Sequence, residues 1–343
     1  MASQRRTTIH DVAALAGVSR SAVSKAMNGQ EGLAPGTRKK ILAAAATLDW
    51  SPSPAASTLR GSRSRSVGLV ISRGPDLLAA DAFFAVLIAG AESVLAPRRY
   101  GLQLHLLSTA QSAESETYRQ LTRDRRVDGF ILTESRIRDA RFELLRELGA
   151  PFVLIGEPWQ DDRVEHILVS DAMAGMRDLA QHLVQAGHRR ILYVGGPEDL
   201  VHTLRRREAF ARALEDAGGP LPRVVSAAFD AKDARRATRE ALAVPERPTV
   251  IVYGNDTMAI AGAGEAQRLG FRVPEDVAVV GYDNLPMGEW VYPTITTVAQ
   301  DLHAIGAAAA AALLRELGDT SVEIPPVAPS TLVIRESTTL DRA

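Results

Sequence analysis

From residue 67 onward, the sequence alternates short hydrophobic runs with longer amphipathic stretches. The hydrophobic runs have the length and composition of buried strands and are Val67–Ile71, Leu102–Leu107, Gly129–Leu132, Phe152–Ile155, Ile191–Val194, Val224–Ala228, Thr249–Tyr253 and Val277–Gly281. The amphipathic stretches have helical periodicity and are Phe83–Ala96, Glu114–Arg123, Asp139–Leu148, Gly175–Ala186, Thr203–Ala217, Ala231–Ala243, Asp256–Leu269 and Leu302–Leu317. This alternation predicts parallel sheets with helices on both faces, and more than about 250 residues of it favours two sheets with a ligand between them.

A second pattern occupies residues 8–28, where a tight turn separates two short amphipathic helices. Thr8 and Asp11 have the spacing of a capping box at the start of the first helix. Gly17 permits the left-handed backbone that a sharp turn requires, and Ser19 can cap the second helix. The positions expected to face the core of this helix-turn-helix are Val12, Ala13, Ala16, Val23, Ala26 and Met27.

The second helix leaves polar residues on its outer side, which helix-turn-helix proteins press into the DNA major groove. Such side chains can donate hydrogen bonds to phosphates or base edges. The residues that we predict to contact DNA are Thr8, Ser19, Arg20, Ser21, Ser24, Lys25 and Asn28, together with Thr37 at the start of the next helix.

A third helix follows, and Pro35 suits its first turn. Its apolar positions, expected to close a small core with Trp50, are Ile41, Leu42, Ala45 and Leu48. Beyond Pro54, the segment Ala55–Gly61 has a helical pattern but is too short to be stable alone in water. Residues 62–66 alternate serine and arginine and have the composition of a linker.

The charge of the chain is divided unevenly between its two parts. Residues 1–66 contain ten lysines and arginines against three acidic residues, a balance of +7. The remaining 277 residues contain 30 basic and 38 acidic side chains, a balance of −8. A basic head on an acidic body is typical of a nucleic-acid-binding protein with a separate sensing part.

The composition and motifs exclude several classes of protein. The chain has no cysteine, so disulfides, thiolate catalysis and cysteine metal sites are excluded, and its seven histidines show no ligand spacing. No signal peptide opens the chain and no apolar run approaches the roughly 18 residues of a membrane span, so we expect a cytoplasmic protein with no membrane partner. Catalytic motifs are absent, and Gly262-Ala-Gly264 lies in a helical stretch, so we expect neither an enzyme nor a bound cofactor or metal.

Several motifs in series resemble the lac/galactose repressor family of bacterial transcription factors, over nearly the whole chain from Thr7 to Ile334. The motifs are Asp11-Val-Ala…Ala-Gly-Val-Ser19, Val23-Ser-Lys…Asn28, Leu59-Arg, Val127-Asp-Gly129, His182-Leu-Val-Gln-Ala-Gly-His188, Asn255-Asp256, Val280-Gly-Tyr-Asp283 and Pro293-x-Ile-Thr-Thr297. The resemblance implies an α + α/β fold, with an N-terminal helix-turn-helix domain and hinge helix before a periplasmic-binding-protein-like core of two doubly wound α/β subdomains.

The same resemblance implies domain boundaries. We expect a helix-turn-helix domain at residues 1–52, a hinge helix and linker at 53–66, and an effector-binding and dimerisation domain at 67–340. Within that core we expect one subdomain at 67–169 plus 295–325 and the other at 170–294 plus 326–340.

The resemblance also implies roles for particular residues. Leu59, with Ala56 beside it, looks like the wedge that two subunits push into the minor groove at the operator centre. Lys25 replaces the more usual arginine of the family, which leaves a point charge where a bidentate contact is common. The positions that match effector contacts of the family are Ser72, Phe83, Phe84, Arg206, Phe229, Asn255, Asp283 and Gln300.

Together these features predict a homodimeric repressor that binds double-stranded operator DNA and is controlled by a small-molecule effector, with a carbohydrate preferred. A purine-type corepressor is the alternative. A solute-binding protein or an enzyme on the same fold is disfavoured by the basic head and the missing catalytic residues. The sequence does not identify the effector, the operator or the target genes. It also does not show whether the effector induces or co-represses.

Overall fold

The computed structural model describes residues 7–27, 32–50, 63–73, 82–107, 111–160, 163–164, 167–168 and 172–339. Contacts divide the chain into two compact units, Met1–Ser64 and Arg65–Ala343. The division falls inside the segment expected to be hinge and linker. The predicted hinge helix, with Ala56 and Leu59, lies outside the described residues, as does Asn28.

The first unit contains three helices, α1 (Ile9–Ala16), α2 (Arg20–Met27) and α3 (Pro35–Thr47). The predicted capping of α1 is confirmed, because the backbone N–H and the hydroxyl of Thr8 both donate to Asp11 Oδ2 at 2.8 Å. Gly17 follows α1 with φ 64°, the left-handed conformation expected there. Ser19 Oγ accepts the N–H of Ala22 at 3.2 Å, which caps α2.

The buried residues of the first unit come from all three helices and are Val12, Ala13, Val23, Ala26, Ile41, Ala44 and Ala45. Trp50 packs against this cluster, as predicted. The expectation that Leu42 belongs to it is wrong, because its side chain is 47% exposed. Ile41, Ala44 and Ala45 form the inner face of α3, since three- and four-residue spacings keep them on one side of the helix.

The second unit begins with a parallel sheet of five strands. They are β1 (Ser66–Ile71), β2 (Gly101–Leu106), β3 (Gly129–Leu132), β4 (Phe152–Ile155) and β5 (Ile167–Leu168), in the order β2-β1-β3-β4-β5. Three helices belong to this part of the chain, α4 (Ala82–Leu95), α5 (Gln111–Arg123) and α6 (Ala140–Glu147). All-parallel pairing with crossover helices is what the alternating pattern predicts.

A second sheet of six strands follows. They are β6 (Ile191–Gly195), β7 (Arg223–Ser226), β8 (Val250–Tyr253), β9 (Ala278–Asp283), β10 (Thr296–Ala299) and β11 (Thr331–Val333), in the order β11-β10-β9-β8-β6-β7. The pairs are parallel except β10 with β11. The remaining long helices are α7 (Ala172–Gln185), α8 (Val201–Asp216), α9 (Ala231–Leu242), α10 (Asp256–Arg268) and α11 (Leu302–Glu316).

The predicted strands and helices of the second unit are present, with their ends shifted by at most three residues. The structure differs in where the chain passes between the two sheets. Residues 295–325 were assigned to the first subdomain, but β10 pairs with β9 in the second sheet. The chain then returns to the first sheet, where α11 packs against α4, β3 and β4 and Val322 is buried in a cluster with Val67 and Ile131. Threonines hide β10 in the sequence: Thr296 and Thr297 are fully buried with hydrogen-bonded hydroxyls, so the strand shows no hydrophobic run.

Close packing between α4 and α11 depends on two glycines. A Cβ at Gly90 would lie 2.0 Å from the carbonyl oxygen of His303, and one at Gly306 equally close to that of Leu87. No helix among the described residues has the length and apolar character needed to cross a membrane.

Candidate functional site

A cleft of about 140 Å³ opens between the two sheets of the second unit. Residues that follow β1, β3 and β4 line one side, and residues that follow β8, β9 and β10 line the other. This is the position predicted for a ligand, because the carboxyl ends of parallel strands meet at one edge of a sheet. The volume is large enough for about ten water molecules, and therefore for a small organic ligand.

Asp283 is the centre of a polar cluster on the second side. Gln300 Nε2 donates to Asp283 Oδ1 at 2.7 Å, and Arg206 Nη2 lies 3.9 Å from the same oxygen. Arg206 also donates to the carbonyl of Gly254 at 3.3 Å, and its Cζ lies 3.8 Å from the ring centre of Tyr282. Burial lowers the pKa of Arg206, but Tyr282 and Asp283 raise the pKa more, so the guanidinium remains charged.

A strained turn directs Asp283 into this cluster. Asp283 and Asn284 have φ values of 104° and 56°, which side chains with a Cβ rarely adopt. The buried carboxylate of Asp256 holds the turn, since it accepts the N–H of Leu285 at 2.6 Å and the hydroxyl of Thr297 at 2.7 Å. Thr297 Oγ1 in turn accepts the N–H of Asn284 at 3.2 Å.

The space around Asp256 explains two further properties. A Cβ at Gly281 would lie 2.0 Å from Asp256 Oδ1, so only glycine fits there beside the carboxylate. Burial raises the pKa of Asp256 to about 7, against the hydrogen bond from Thr297, which lowers it.

An aromatic pair forms another part of the cleft. The rings of His202 and Phe229 are stacked, with centres 5.6 Å apart and planes 17° from parallel. Arg73 places its guanidinium carbon 5.2 Å from the Phe229 ring centre. Phe229 has φ 60°, and a Cβ at Gly196 would lie 2.0 Å from its ring, so the ring is tightly enclosed. Burial and the nearby Arg206 and Arg73 hold the pKa of His202 well below its usual range, which keeps the imidazole neutral.

Contacts across the cleft join its two sides. The N–H of Val201 donates to the carbonyl of Ser135, and the N–H of Ile137 donates to that of Asp199, each at 2.9 Å. Nearer the solvent, Arg205 Nε donates to Glu157 Oε2 at 3.0 Å. On the first side, Arg73 forms an ion pair with Glu134.

Six of the eight residues expected to contact an effector line the cleft, and they are Phe83, Arg206, Phe229, Asn255, Asp283 and Gln300. Ser72 is absent from the lining, and Phe84 is 2% exposed in a hydrophobic cluster with Leu69 and Leu87. Phe84 points into the core because successive residues of a helix cannot share one face. Asn255 lines the cleft but also caps α10, because its Oδ1 accepts the N–H of Met258 at 2.8 Å.

Sequence reasoning missed several polar residues of the cleft, namely Arg73, Glu134, Glu157, His202, Arg205 and Tyr282. The sequence carried a signal for three of them, because Arg73, Glu134 and Glu157 each follow a predicted strand by two residues. Such positions lie at the carboxyl edge of a parallel sheet, where ligands bind.

The predicted DNA contacts lie on the first unit with differing exposure. Arg20, Ser21 and Lys25 are exposed on α2, whereas Ser24 and Thr37 are half-buried. Thr8 and Ser19 serve as helix caps through the hydrogen bonds described above, so their side chains already have a structural role. Asn28, Ala56 and Leu59 lie outside the described residues.

Two family descriptions match the chain. Residues 8–53 match the bacterial regulatory proteins of the lacI family, and residues 180–338 match a periplasmic binding protein-like domain. These matches cover the helix-turn-helix and the second sheet with its helices.

Relatives match over nearly the full length. The HTH-type transcriptional regulator CelR of Thermobifida fusca is 33% identical over 342 residues, which cover 98% of this chain and 100% of the relative. Catabolite control protein A of Priestia megaterium is 29% identical over 335 residues, covering 96% of this chain and 99% of the relative.

Solved structures have the same fold. A CelR–cellobiose complex has a TM-score of 0.73 at 31% identity and covers 97% of this chain and 100% of its own. A lac repressor dimer bound to operator and an anti-inducer has a TM-score of 0.83 at 24% identity and covers 98% of this chain and 100% of its own.

Proposed function

Because the chain belongs to the lacI family of bacterial regulatory proteins, we propose that it is a homodimeric repressor that a sugar releases from its operator. The chain is a DNA-binding transcriptional regulator with a helix-turn-helix domain and an effector-binding core. Cellobiose is bound by one relative of known structure. The chemistry of the cleft supports the assignment of a carbohydrate to this chain as well.

The observation that carries the sugar assignment is the polar cluster around Asp283. The Gln300 amide and the Arg206 guanidinium lie 2.7 and 3.9 Å from the same carboxylate oxygen, Asp283 Oδ1. Vicinal hydroxyl groups donate and accept at once, so they can satisfy a carboxylate and a guanidinium together. The enclosed ring of Phe229 and the apolar side chains of Ile155, Leu302 and Ile305 supply surface for the C–H faces of a sugar ring.

Two exposed aromatic side chains support a homodimer. Trp290 and Tyr292 are 78% and 82% exposed, and they lie two residues apart just before β10. Large aromatic side chains are enriched in protein interfaces and costly to leave in water. A second copy of this chain would cover them and would present two helix-turn-helix units to a two-fold symmetric operator.

Selection of duplexes from a random DNA pool by the full-length protein tests the repressor assignment. We expect a two-fold symmetric consensus, because each α2 of a dimer reads one half-site. Fluorescence anisotropy on that operator then measures release by cellobiose and other sugars.

If the selection enriches no sequence, it contradicts sequence-specific DNA binding by the protein alone. Tighter operator binding on addition of guanine or hypoxanthine, with no response to sugars, would replace the sugar with a purine corepressor. Release by a sugar that is lost in Asp283→Ala would support the cleft as its site.

A further inference from the structure

The charged side chains that line the cleft occur in opposite pairs. Three guanidinium groups face three carboxylates, and the pairs are Arg73 with Glu134, Arg205 with Glu157, and Arg206 with Asp283. Two of the pairs are largely enclosed, with side-chain exposures of 15% or less. His202 is the one other basic side chain in the described lining, and it is neutral for the reasons given above. The described lining therefore has a net charge of zero.

Helix N-termini are the other common sites for anions, because their free N–H groups point outward. Helices α8, α10 and α11 are among those that begin at this cleft, and an N–H in the first turn of each has a partner. At α8, the N–H of Val201 donates to the Ser135 carbonyl at 2.9 Å. At α10, the N–H of Met258 donates to the Asn255 side chain at 2.8 Å, and at α11 the N–H of Ala304 donates to the Asp301 side chain at 2.9 Å. None of these three donors is free for a phosphate.

The internal segments of the second unit outside the described residues are 74–81, 108–110, 161–162, 165–166 and 169–171, and they contain no lysine or arginine. Their charged residues include Asp76, Asp81, Asp161, Asp162, Glu165 and Asp171.

From these observations we infer that the effector is an uncharged polyhydroxy compound, and that phosphorylated sugars and sugar acids are rejected. An anion entering the cleft would lose its hydration without gaining an unbalanced cation, which is unfavourable. Hydroxyl groups meet no such penalty, because they can share donors and acceptors with the existing pairs. The inference rests on the proposed function, since it takes the cleft to be the effector site.

Glu134 has a particular role in this charge balance. Its carboxylate neutralises Arg73, whose guanidinium reaches the Phe229 ring on the opposite side of the cleft. Glu134→Gln removes the negative charge and keeps the size of the side chain. The variant cleft then has a charge of +1 beside the expected sugar position, so it should accept an anion that the natural cleft rejects.

Calorimetric titration of the full-length protein tests the inference with matched probes. The probes are glucose and glucose 6-phosphate, cellobiose and cellobionate, and inorganic phosphate alone. The control variant is Glu143→Gln, which makes the same change in net charge at an exposed ion pair with Arg146 and Arg163, away from the cleft. Any phosphate binding by the basic helix-turn-helix unit is then the same in both variants. The difference between their phosphate affinities therefore measures binding in the cleft.

We expect natural protein to bind each anionic probe no more tightly than the control variant does. Glu134→Gln should bind glucose 6-phosphate and phosphate about tenfold more tightly than Glu143→Gln, the change that one unit charge gives in a partly screened site. Absence of this gain would overturn the inference that the ion pair excludes anions. So would tighter binding of glucose 6-phosphate or cellobionate than of their neutral partners to natural protein.

The two conclusions fail separately. If no neutral sugar binds natural protein while Glu134→Gln still binds phosphate more tightly than Glu143→Gln does, the sugar assignment is wrong and the inference about the charge balance of the cleft stands. If a neutral sugar binds and its phosphate ester binds better, the sugar assignment stands and the charge inference is wrong.

Discussion

In the first unit most predicted DNA contacts lie on or beside one helix of eight residues, α2, whereas the cleft takes its charged side chains from positions between Arg73 and Asp283. Local spacing determines which side of α2 faces outward once Val23 and Ala26 are buried. The cleft depends on strands that are far apart in sequence and adjacent in the sheets. Changes in the first unit should therefore act on DNA binding alone, and changes in the cleft on the effector response alone.

The largest expected effect comes from the core of the first unit. Ile41 is fully buried, and Ile41→Ala should cost about 2–5 kcal/mol, comparable to the stability of a unit this small. We expect operator binding to be lost in anisotropy measurements while calorimetric sugar binding remains. Leu42→Ala is the matched control, since Leu42 is 47% exposed. Equal losses in the two variants, or loss of sugar binding in either, would contradict the separation of the units.

Asp283→Ala tests the opposite separation. The variant removes the carboxylate that accepts from Gln300 and forms an ion pair with Arg206, so sugar affinity should fall about 10–100-fold, the range for hydrogen bonds to a charged group. Operator affinity should be unchanged, and sugar should no longer release DNA. Asp276→Ala, at an exposed pair with Arg272, is the control. A normal response in Asp283→Ala would remove this residue from the site.

Asp256→Asn tests whether the strained turn at Asp283 depends on the hydrogen bonds that Asp256 accepts. The amide oxygen can still accept from Leu285, but the amide NH2 can only donate to Thr297 Oγ1, which already accepts the N–H of Asn284, so the bond from the Thr297 hydroxyl is replaced by a competing donor. We expect about a tenfold loss of sugar affinity and faster hydrogen exchange at the Leu285 N–H, measured by nuclear magnetic resonance. Unchanged exchange at Leu285 would show that the turn holds itself.

The same variant has a signature in the pH dependence of stability. Burial raises the pKa of Asp256 from 3.8 to about 7, so between these values the folded state holds a proton that the unfolded state has released. The stability contributed by the protonated acid is present at low pH and is lost as the pH rises through about 7. Asp256→Asn should remove this loss, so the free energy of unfolding of the variant, relative to that of natural protein, should rise between about pH 4 and 7, as measured by urea titration.

The smallest expected effect is at Lys25, which is exposed on α2. Lys25→Met should weaken operator binding a few-fold and lower the slope of log affinity against log salt by about 1, as expected for one lost phosphate contact. Lys40→Met, an equally exposed lysine on α3, should leave the slope unchanged. A loss confined to one operator base pair would instead identify Lys25 as a base contact.

The fold was largely predictable from the sequence, and the exceptions have physical causes. Parallel strands buried on both faces produce short hydrophobic runs, so β1, β3, β4, β6 and β8 can be identified directly in the sequence. β10 is not, because buried threonines there bond to Asp256 and to the chain near Arg335 in place of apolar packing. Leu42 was wrongly predicted to be buried because it is hydrophobic and lies next to Ile41, an inner position of α3.

The sequence by itself determined the helix-turn-helix, the alternation of strands and helices and the division of charge, because each depends on spacing between near neighbours. Only the tertiary structure decided which polar residues share the cleft. Arg73 meets Glu134 and Phe229 because β1, β3 and β7 end at the same place, although these residues are scattered over more than half of the second unit. The composition of the chain does not determine that pairing. The arrangement of the strands determines it, and therefore also the neutral charge of the cleft.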